Sequence, residues 1–394
     1  MNATGNEVYL CNSNSFLKLP NSMKLFSKGA VVYPKNGGAV FTNKKRILGQ
    51  DSLVDLNTGS YTPFSQMDEK FFYYLFSTVD FQKYYKGTAL PTVDMDAVQE
   101  IVWGLPSLAE QKRIVTAIEL TLPLIDKYEE THSQLSRLQN SFPEALKKSI
   151  LQEAVQGKLV PQDPSDEPAE ALLERIQAEK QRLIKEGKIK KDKHESVIFR
   201  RDNSHYEKRG SEEVCIDDEL PFDIPSTWMW SRLSSIVTVL GDGIHGTPVY
   251  SSNGTTTFIN GNNLQDGKIV IKPDTKRVTD EEASKHKRCL TKDTVLLSIN
   301  GTIGNVAFYD GEHVILGKSA CYFNLLSGVS KEYVRLVLET DYFAKYAVSV
   351  ATGTTIKNVP LAGMRNLLVP IPPTAEQAEI VQAVALALNL VAAL

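Results

Sequence analysis

The sequence predicts an α+β fold in which two similar mixed α/β domains are joined by long, coiled-coil-like helices. Three observations lead to this prediction: an internal duplication, short β-like segments broken by Gly and Asn, and one long segment with helical spacing of its apolar residues. Hydrophobic residues make up 42% and charged residues 23% of the 394 residues, which is typical of a globular protein with two or three domains.

The duplication is visible at the end of each domain. The stretch "LPSLAEQKRIV" begins at Leu105, and the similar "IPPTAEQAEIV" begins at Ile371. Other blocks recur in the same order, among them "GTALPTV" at Gly87 and "GTTIKNV" at Gly353. Chance explains collinear matches poorly, so we interpret the chain as a pseudo-twofold repeat.

Both copies predict the same order of elements. Alternating segments such as "GAVVYPKNGGAVF" predict strands and tight turns, and "EKFFYYLFSTVDFQKYY" and "KEYVRLVLETDYFAKYA" predict aromatic-rich helical segments. A Gly-Thr loop, a short strand that ends at Pro, and a helix opened by Ala-Glu-Gln follow. We expect a first domain at residues 1–106, a long spacer helix at 107–160, a short helix and charged linker at 161–219, a second domain at 220–373, and the start of a second spacer helix at 374–394.

The long helix has a one-sided apolar seam. From Ile114 to Ile150 apolar residues recur at steps of three and four, so the seam should pack against another helix, and the equivalent helix from Thr374 is the expected partner. Ser107, with Glu110 three residues later, has the spacing of a capping box. A helix of this length is roughly 65–70 Å long, and Pro123 and Pro143 should kink or divide it.

The two copies differ in length. The first copy lacks a counterpart of about residues 220–257, and the second long helix is only about 20 residues long. We therefore interpret the chain as shortened at both ends relative to a complete two-unit protein, with an incomplete first domain.

Several enzyme classes find no support in the motifs. "GDGIHG" at Gly241 matches GxGxxG formally, but it runs into a Pro and a turn where a phosphate-binding helix should begin. The six histidines show no metal-ligand spacing, and the four cysteines include no CxxC pair, which argues against a zinc site or disulfides and favours a reducing cytoplasm. No apolar run reaches membrane-spanning length. A degenerate nuclease motif stays open as an alternative.

The distribution of charge and of loop residues favours recognition of a polyanion. Residues 1–50 hold seven Lys/Arg and one acidic residue, and residues 268–292 hold eight and four. The expected loops are rich in Asn, Gly, Thr and Lys, residues that contact bases and phosphates in nucleic-acid complexes. Asn-Gly and Gly-Thr are also ordinary turn residues, and Lys-rich loops are often only solvated, so a structural role stays open.

The chain closely resembles the specificity subunit of type I restriction-modification systems. The repeated Ala-Glu-Gln junctions are similar to that family's domain-to-helix junctions. The segment from Leu122 to Ile176 resembles its central region, and "ELPFDIPSTWMWSRLSSI" at Glu219 resembles the entry to its second target recognition domain.

This resemblance implies a non-catalytic, cytoplasmic subunit that binds a bipartite site on double-stranded DNA, one part per target recognition domain. Its paired helices would set the spacer and dock two methyltransferase (modification) subunits, and motor-nuclease (restriction) subunits would join through them. S-adenosylmethionine, ATP and magnesium would belong to those partners. An alternative is a partial specificity subunit that acts mainly as a methyltransferase-docking scaffold, with one competent recognition domain.

The resemblance, together with loop composition, also implies a set of DNA-contacting residues. In the first domain they are Lys35, Asn36, Lys44, Lys45, Arg46 and Thr88. In the second domain the candidates for base or backbone contact are His245, Thr247, Asn260, Asn262, Asn263, Asn300, Thr302, Thr354, Thr355 and Lys357. The candidates for phosphate contact there are Lys276, Arg277 and Lys318.

Overall fold

The structure, a computed structural model, describes residues 5–13, 24–192 and 195–393. The chain divides into two compact units, Met1–Arg137 (unit 1) and Leu138–Leu394 (unit 2). Each unit combines helices with short strands around its own hydrophobic core, which confirms the predicted α+β class.

Unit 1 is a small sheet with helices beside it. Its elements are β1 (Tyr9–Leu10), β2 (Val31–Pro34), β3 (Arg46–Leu48), β4 (Thr58–Tyr61), α1 (Glu69–Ser77), β5 (Tyr85–Lys86), β6 (Thr92–Val93), α2 (Met95–Gln99) and the start of α3 (Leu108–Val155). The main sheet has the order β1-β3-β2-β4, in which only the β1/β3 pair is parallel.

The core of unit 1 is aromatic because α1 places its apolar face on the sheet. Phe72 and Phe76 project from α1, and Tyr33 projects from β2 with its ring centroid 5.5 Å from that of Phe76. Phe81 completes this cluster and is fully buried. Asp68 begins α1, because its carboxylate accepts the N–H groups of residues 70 and 71.

The predicted spacer helix is α3, a continuous helix that the two prolines do not divide. Ser107 caps it, since the Ser107 hydroxyl accepts the Glu110 N–H at 3.4 Å. Residues around both prolines are largely exposed, so water can satisfy the carbonyl groups that lose their helical partners. Most of the apolar seam is also exposed: Leu122, Ile125, Tyr128, Leu135, Leu138 and Phe142.

Unit 2 contains the end of α3 and a larger set of elements. Its helices are α4 (Ala169–Lys185), α5 (Asp280–Lys285), α6 (Lys331–Leu338), α7 (Asp341–Val350), α8 (Leu361–Asn366) and α9 (Thr374–Val391). Its strands are β7 (Ser196–Arg201), β8 (Ser204–Arg209), β9 (Glu212–Cys215), β10 (Met229–Arg232), β11 (Val237–Asp242), β12 (Thr256–Ile259), β13 (Leu264–Gln265), β14 (Lys268–Ile269), β15 (Arg277–Val278), β16 (Thr294–Ser298), β17 (Val306–Phe308), β18 (Val314–Leu316), β19 (Ala320–Leu325) and β20 (Leu368–Ile371).

Unit 2 has one large core and smaller buried clusters against its sheets. An antiparallel sheet has the order β11-β19-β16-β17, a second sheet has the order β15-β12-β18, and β10 pairs with β20. Trp228, Tyr333, Phe323 and Phe343 are all buried in the large core. The aromatic-rich segment predicted as one helical stretch is two helices here, because the Thr340 hydroxyl accepts the Phe343 N–H at 3.2 Å and begins α7.

Tyrosine hydroxyl groups of α6 and α7 donate hydrogen bonds to β20, the strand that precedes α9. Tyr333 donates to the Pro370 carbonyl at 3.0 Å, and Tyr342 donates to the Leu368 carbonyl at 2.7 Å. Both acceptors lie in β20, so the helix pair and the last strand of the unit are held together.

The predicted charged linker is wrong in its second half, where β7, β8 and β9 form an antiparallel three-stranded sheet. The pattern of apolar residues did not predict this sheet, because a charged residue occupies its inner face. Glu207 of β8 is buried and accepts from Arg232 of β10 at 2.8 Å, and Arg232 also donates to Glu219 at 2.7 Å. A paired charge can occupy a position where the pattern would require an apolar residue.

The Glu207–Arg232 pair makes the stability of unit 2 sensitive to acid. Burial alone would raise the pKa of Glu207, but hydrogen bonds from Arg232 and Arg209 outweigh it and lower that pKa from 4.5 to about 2. The stabilisation is therefore present above pH 4.5 and is lost as the pH falls towards 2. Glu207→Gln should lower the free energy of unfolding by about 3 kcal/mol at neutral pH, because the buried Arg232 loses its buried carboxylate partner and keeps only that of Glu219.

Urea unfolding followed by tryptophan fluorescence at several pH values checks this prediction. The difference in free energy of unfolding between wild type and Glu207→Gln should become smaller as the pH falls below 4.5. Glu213→Gln is the matched control, because Glu213 pairs with Arg201 on the surface, and it should change stability by less than about 1 kcal/mol. If the difference in free energy of unfolding did not change with pH, the stabilising role of the ionised Glu207–Arg232 pair would be contradicted.

Candidate nucleic-acid interface

A buried glutamine at the start of α9 connects this helix to the rest of unit 2. Gln377, the third residue of the second Ala-Glu-Gln, is 1% exposed. Its side-chain oxygen accepts the Ser330 N–H at 2.7 Å, and its amide nitrogen donates to the carbonyls of Gly328 at 3.1 Å and Pro372 at 3.2 Å. Ser330 is the N-cap of α6, so one side chain connects the start of α6 to the start of α9.

Unit 1 contains the same arrangement around Gln111, which is also 1% exposed. Gln111 accepts the Asp68 N–H at 2.8 Å and donates to the carbonyls of Gln66 at 3.5 Å and Pro106 at 2.9 Å. Asp68 is the N-cap of α1, as Ser330 is of α6. The repeat predicted from the sequence is thus present in the contacts of the two junctions.

Replacing this glutamine should loosen the junction. Gln377→Leu keeps the approximate volume but leaves one N–H and two carbonyl groups buried without partners, and we expect it to destabilise unit 2 by about 2–4 kcal/mol. In a Trp103→Phe background the remaining tryptophans, Trp228 and Trp230, report on unit 2 alone. Gln382→Leu, at an exposed position of α9, is the control and should have little effect. Equal stability of the two variants would contradict the role of Gln377.

The structure brings two predicted recognition loops of unit 2 together. Asn300 and Asn358 form an antiparallel bridge, and the Asn300 side-chain amide donates to the Asn358 side-chain oxygen at 3.3 Å. Thr352 bridges to Asn358 from the other end of its loop. This contact places residues 300–302 beside residues 352–358, which include five of the predicted DNA-contacting residues: Asn300, Thr302, Thr354, Thr355 and Lys357.

Unit 1 has the corresponding pair of loops. Asn36 and Thr92 form an antiparallel bridge, the Gly37 N–H donates to the Pro91 carbonyl at 2.7 Å, and the Val93 N–H donates to the Lys35 carbonyl at 2.9 Å. Asn36 corresponds to Asn300 in the repeat, and Thr92 corresponds to Asn358. The loop of Thr88 therefore lies beside Lys35 and Asn36. We refer to residues 35–37 with 87–92, and residues 300–302 with 352–358, as the two loop pairs.

A second cluster of predicted residues in unit 2 forms around Ser319, which the sequence did not single out. The Ser319 hydroxyl accepts the Gly261 N–H at 2.9 Å and donates to the Asn260 side-chain oxygen at 3.1 Å. Its carbonyl accepts the Ile299 N–H at 2.9 Å. Ser319 thus connects the segment of Asn260 and Asn262 to the loop that follows β16, and Lys318 lies next to it.

The remaining candidates of unit 2 lie on its surface. The His245 ring lies 2.8 Å from the Asp242 carboxylate, while Thr247 is exposed on the same loop. The Ile244 N–H donates to the Leu316 carbonyl at 2.7 Å, which brings this loop near Lys318. Lys276 and Arg277 are exposed at β15.

Two of the predicted DNA contacts lie inside the protein. Lys45 is 3% exposed, donates to the Val79 carbonyl at 2.7 Å, and lies 4.2 Å from the centre of the Phe81 ring. Burial lowers the pKa of Lys45 to about 8. Asn263 is 4% exposed and its amide donates to the Val270 carbonyl at 2.9 Å. The prediction that Lys45 and Asn263 contact DNA is therefore wrong, since both side chains are buried and bond to backbone carbonyl groups.

The other two residues of the basic run in unit 1 are half-buried. The Arg46 guanidinium donates to the carbonyls of Asn6 and Lys45, and thus helps to hold β3 in place. Lys44 is partly covered too. The run looked like a basic patch because charge alone does not show which of its side chains are buried in the folded unit.

Asn358 and Thr92 are further residues that the sequence analysis missed. They bridge the predicted asparagines in the two units, and aligning "GTTIKNV" with "GTALPTV" position by position would have found them. Within the described ranges, no three or more His, Cys, Asp or Glu side chains are grouped so that they could hold a metal ion. Among the same residues, no helix is both long and apolar enough to cross a membrane.

The chain is similar in sequence to known proteins. Residues 225–385 match the family described as type I restriction modification DNA specificity domain. The chain is 29% identical over 297 residues to the Escherichia coli type I restriction enzyme EcoAI specificity subunit, a match that covers 71% of this chain and 47% of that protein. It is 26% identical over 300 residues to the EcoEI specificity subunit of the same organism, covering 71% of this chain and 48% of that protein.

A solved structure, the HsdS subunit from Thermoanaerobacter tengcongensis, matches with a TM-score of 0.46 and 16% identity, covering 95% of this chain and 77% of that chain. The chain spans about half the length of the curated relatives it matches. Residues 225–385 of unit 2 are thus similar to type I DNA specificity domains, and the chain is similar to the specificity subunits of type I restriction enzymes. The resemblance inferred from the repeated junctions is confirmed.

Proposed function

We propose that this chain is a DNA-recognition subunit of a type I restriction-modification complex, in which each unit reads one part of a split DNA site. The observation that carries the proposal is the occurrence of the same loop pair in both units. An asparagine bridged to a neighbouring loop lies beside exposed Thr and Lys side chains in each case.

The side chains of the loop pairs are of types that bond to the bases and phosphates of double-stranded DNA. Asn side chains can bond to adenine, Thr hydroxyl groups bond to bases or phosphates, and Lys ammonium groups neutralise phosphates. In unit 2 Lys357 is exposed at the edge of its loop pair, and Lys276, Arg277 and Lys318 are exposed elsewhere on the unit. The similarity of residues 225–385 to DNA specificity domains supports the same substrate.

The loop pair of unit 1 supports two reading domains rather than a scaffold with one. Lys35 and Thr88 are exposed there, and Asn36 is bridged as Asn300 is. We further propose that two methyltransferase subunits dock on the chain and that motor-nuclease subunits join through them. The exposed apolar seam of α3 is a surface that such an assembly, or a second helix, could cover. Methylation and cleavage, with S-adenosylmethionine, ATP and magnesium, would then belong to those partners.

Salt dependence of DNA binding tests the phosphate contacts. Lys357→Met should weaken binding of the complex to matched and scrambled duplexes alike, and it should reduce the slope of log K against log salt by about one. Lys185→Met, which removes the same charge from the exposed face of α4, is the control and should leave the slope unchanged.

The wild-type complex with its methyltransferase subunits should also discriminate between duplexes. We expect a selected site to bind at least about 10³-fold more tightly than a scrambled one. Equal affinity for the two duplexes would overturn the proposed function, whatever the salt dependence.

A further inference from the structure

An exposed aliphatic side chain stands at the tip of each loop pair. Leu90 is 62% exposed in unit 1 and Ile356 is 61% exposed in unit 2. The two residues occupy equivalent positions of the repeat, in "GTALPTV" and "GTTIKNV". A single exposed Leu or Ile is common on protein surfaces, but its recurrence at one turn of both domains calls for a reason.

The turn that presents each side chain is built in the same way. Gly87 and Gly353 have φ values of 86° and 93°, a region that favours glycine. A Cβ on Gly87 would lie 2.8 Å from the Leu90 carbonyl oxygen, and a Cβ on Gly353 would lie 2.5 Å from the Ile356 carbonyl oxygen. Each turn is thus closed tightly on the backbone of its aliphatic residue, and the side chain is left outside.

Both aliphatic residues belong to the loop pairs that contain the polar groups of the proposed interface. A Cβ on Gly37 would lie 3.9 Å from a methyl carbon of Leu90, and Gly37 follows Asn36. Ile356 is two residues before Asn358, which the Asn300 side chain contacts. Each tip therefore combines an aliphatic group with asparagine.

That combination matches the major-groove edge of an A·T pair. Adenine presents there a donor and an acceptor that an Asn side chain can bond, and thymine presents its C5 methyl group to apolar side chains. We propose that Leu90 and Ile356 are specificity-determining residues, each packing against a thymine methyl group in the part of the DNA site that its unit reads. The inference rests on the proposed function.

The test uses the full chain in complex with its methyltransferase subunits. Wild-type complex first selects its preferred sites from a library of random duplexes. Thymines of that site are then replaced one at a time by uracil, which removes only the methyl group. One substitution in each part of the site should weaken wild-type binding roughly fourfold, the contribution of about one buried methyl group.

Ile356→Ala and Leu90→Ala separate the two contacts. Each variant should bind roughly 5- to 20-fold more weakly and should no longer respond to uracil in one part of the site, a different part for each variant. Phe64→Ala and Val214→Ala change side chains that are 78% and 57% exposed outside the loop pairs, between β4 and α1 and in β9, and they should retain wild-type affinity and the full uracil response. Thermal melting confirms that all four variants are folded.

The outcomes distinguish this inference from the proposed function. If the wild-type complex selects no sequence, both fail. If it selects a sequence but uracil substitution affects wild type and the alanine variants equally, or if a selected part contains no A·T pair, the inference alone is overturned. If 2-aminopurine next to the contact brightens on binding only when Ile356 is present, the side chain separates bases as a wedge, and the methyl contact is wrong.

Discussion

Each unit depends on one buried glutamine at its junction with a helix. Gln111 and Gln377 supply one acceptor and two donors to backbone groups that would otherwise be buried without partners. A side-chain amide is well suited to this task, since it bonds both N–H and C=O groups without bringing a charge into the interior. The glutamine connects the N-cap of α1 to the start of α3 in unit 1 and the N-cap of α6 to the start of α9 in unit 2.

The glutamate that precedes each of these glutamines has different partners in the two units. Glu376 is buried and accepts from the Trp228 indole at 2.8 Å, and burial raises its pKa more than this bond and the bond from Gln162 lower it. Glu110, its counterpart, is half-exposed and pairs with Arg113. The glutamine therefore has the same role in both units, while the glutamate takes the partners that its own surroundings supply.

The sequence predicted the features that local chemistry determines. Repetition revealed the two junctions and the loops, and periodicity predicted α3 from Ser107 onward. Periodicity failed where a tertiary contact overrides the pattern. Glu207 is buried on the inner face of a sheet because Arg232 neutralises it. Lys45 is buried in unit 1 because its ammonium group donates to the Val79 carbonyl and lies over the Phe81 ring. Ser319 was missed because its importance comes from contacts with residues that are distant in sequence.

The amide hydrogen exchange of Ser330 and Asp68 tests the central role of the glutamines most directly. In the wild-type chain both N–H groups should exchange slowly, because each donates to a buried glutamine oxygen. Gln377→Leu should speed exchange at Ser330 and leave Asp68 unchanged, and Gln111→Leu should do the reverse. Exchange of both amides at the rate of exposed loop residues in the wild-type chain would contradict the account.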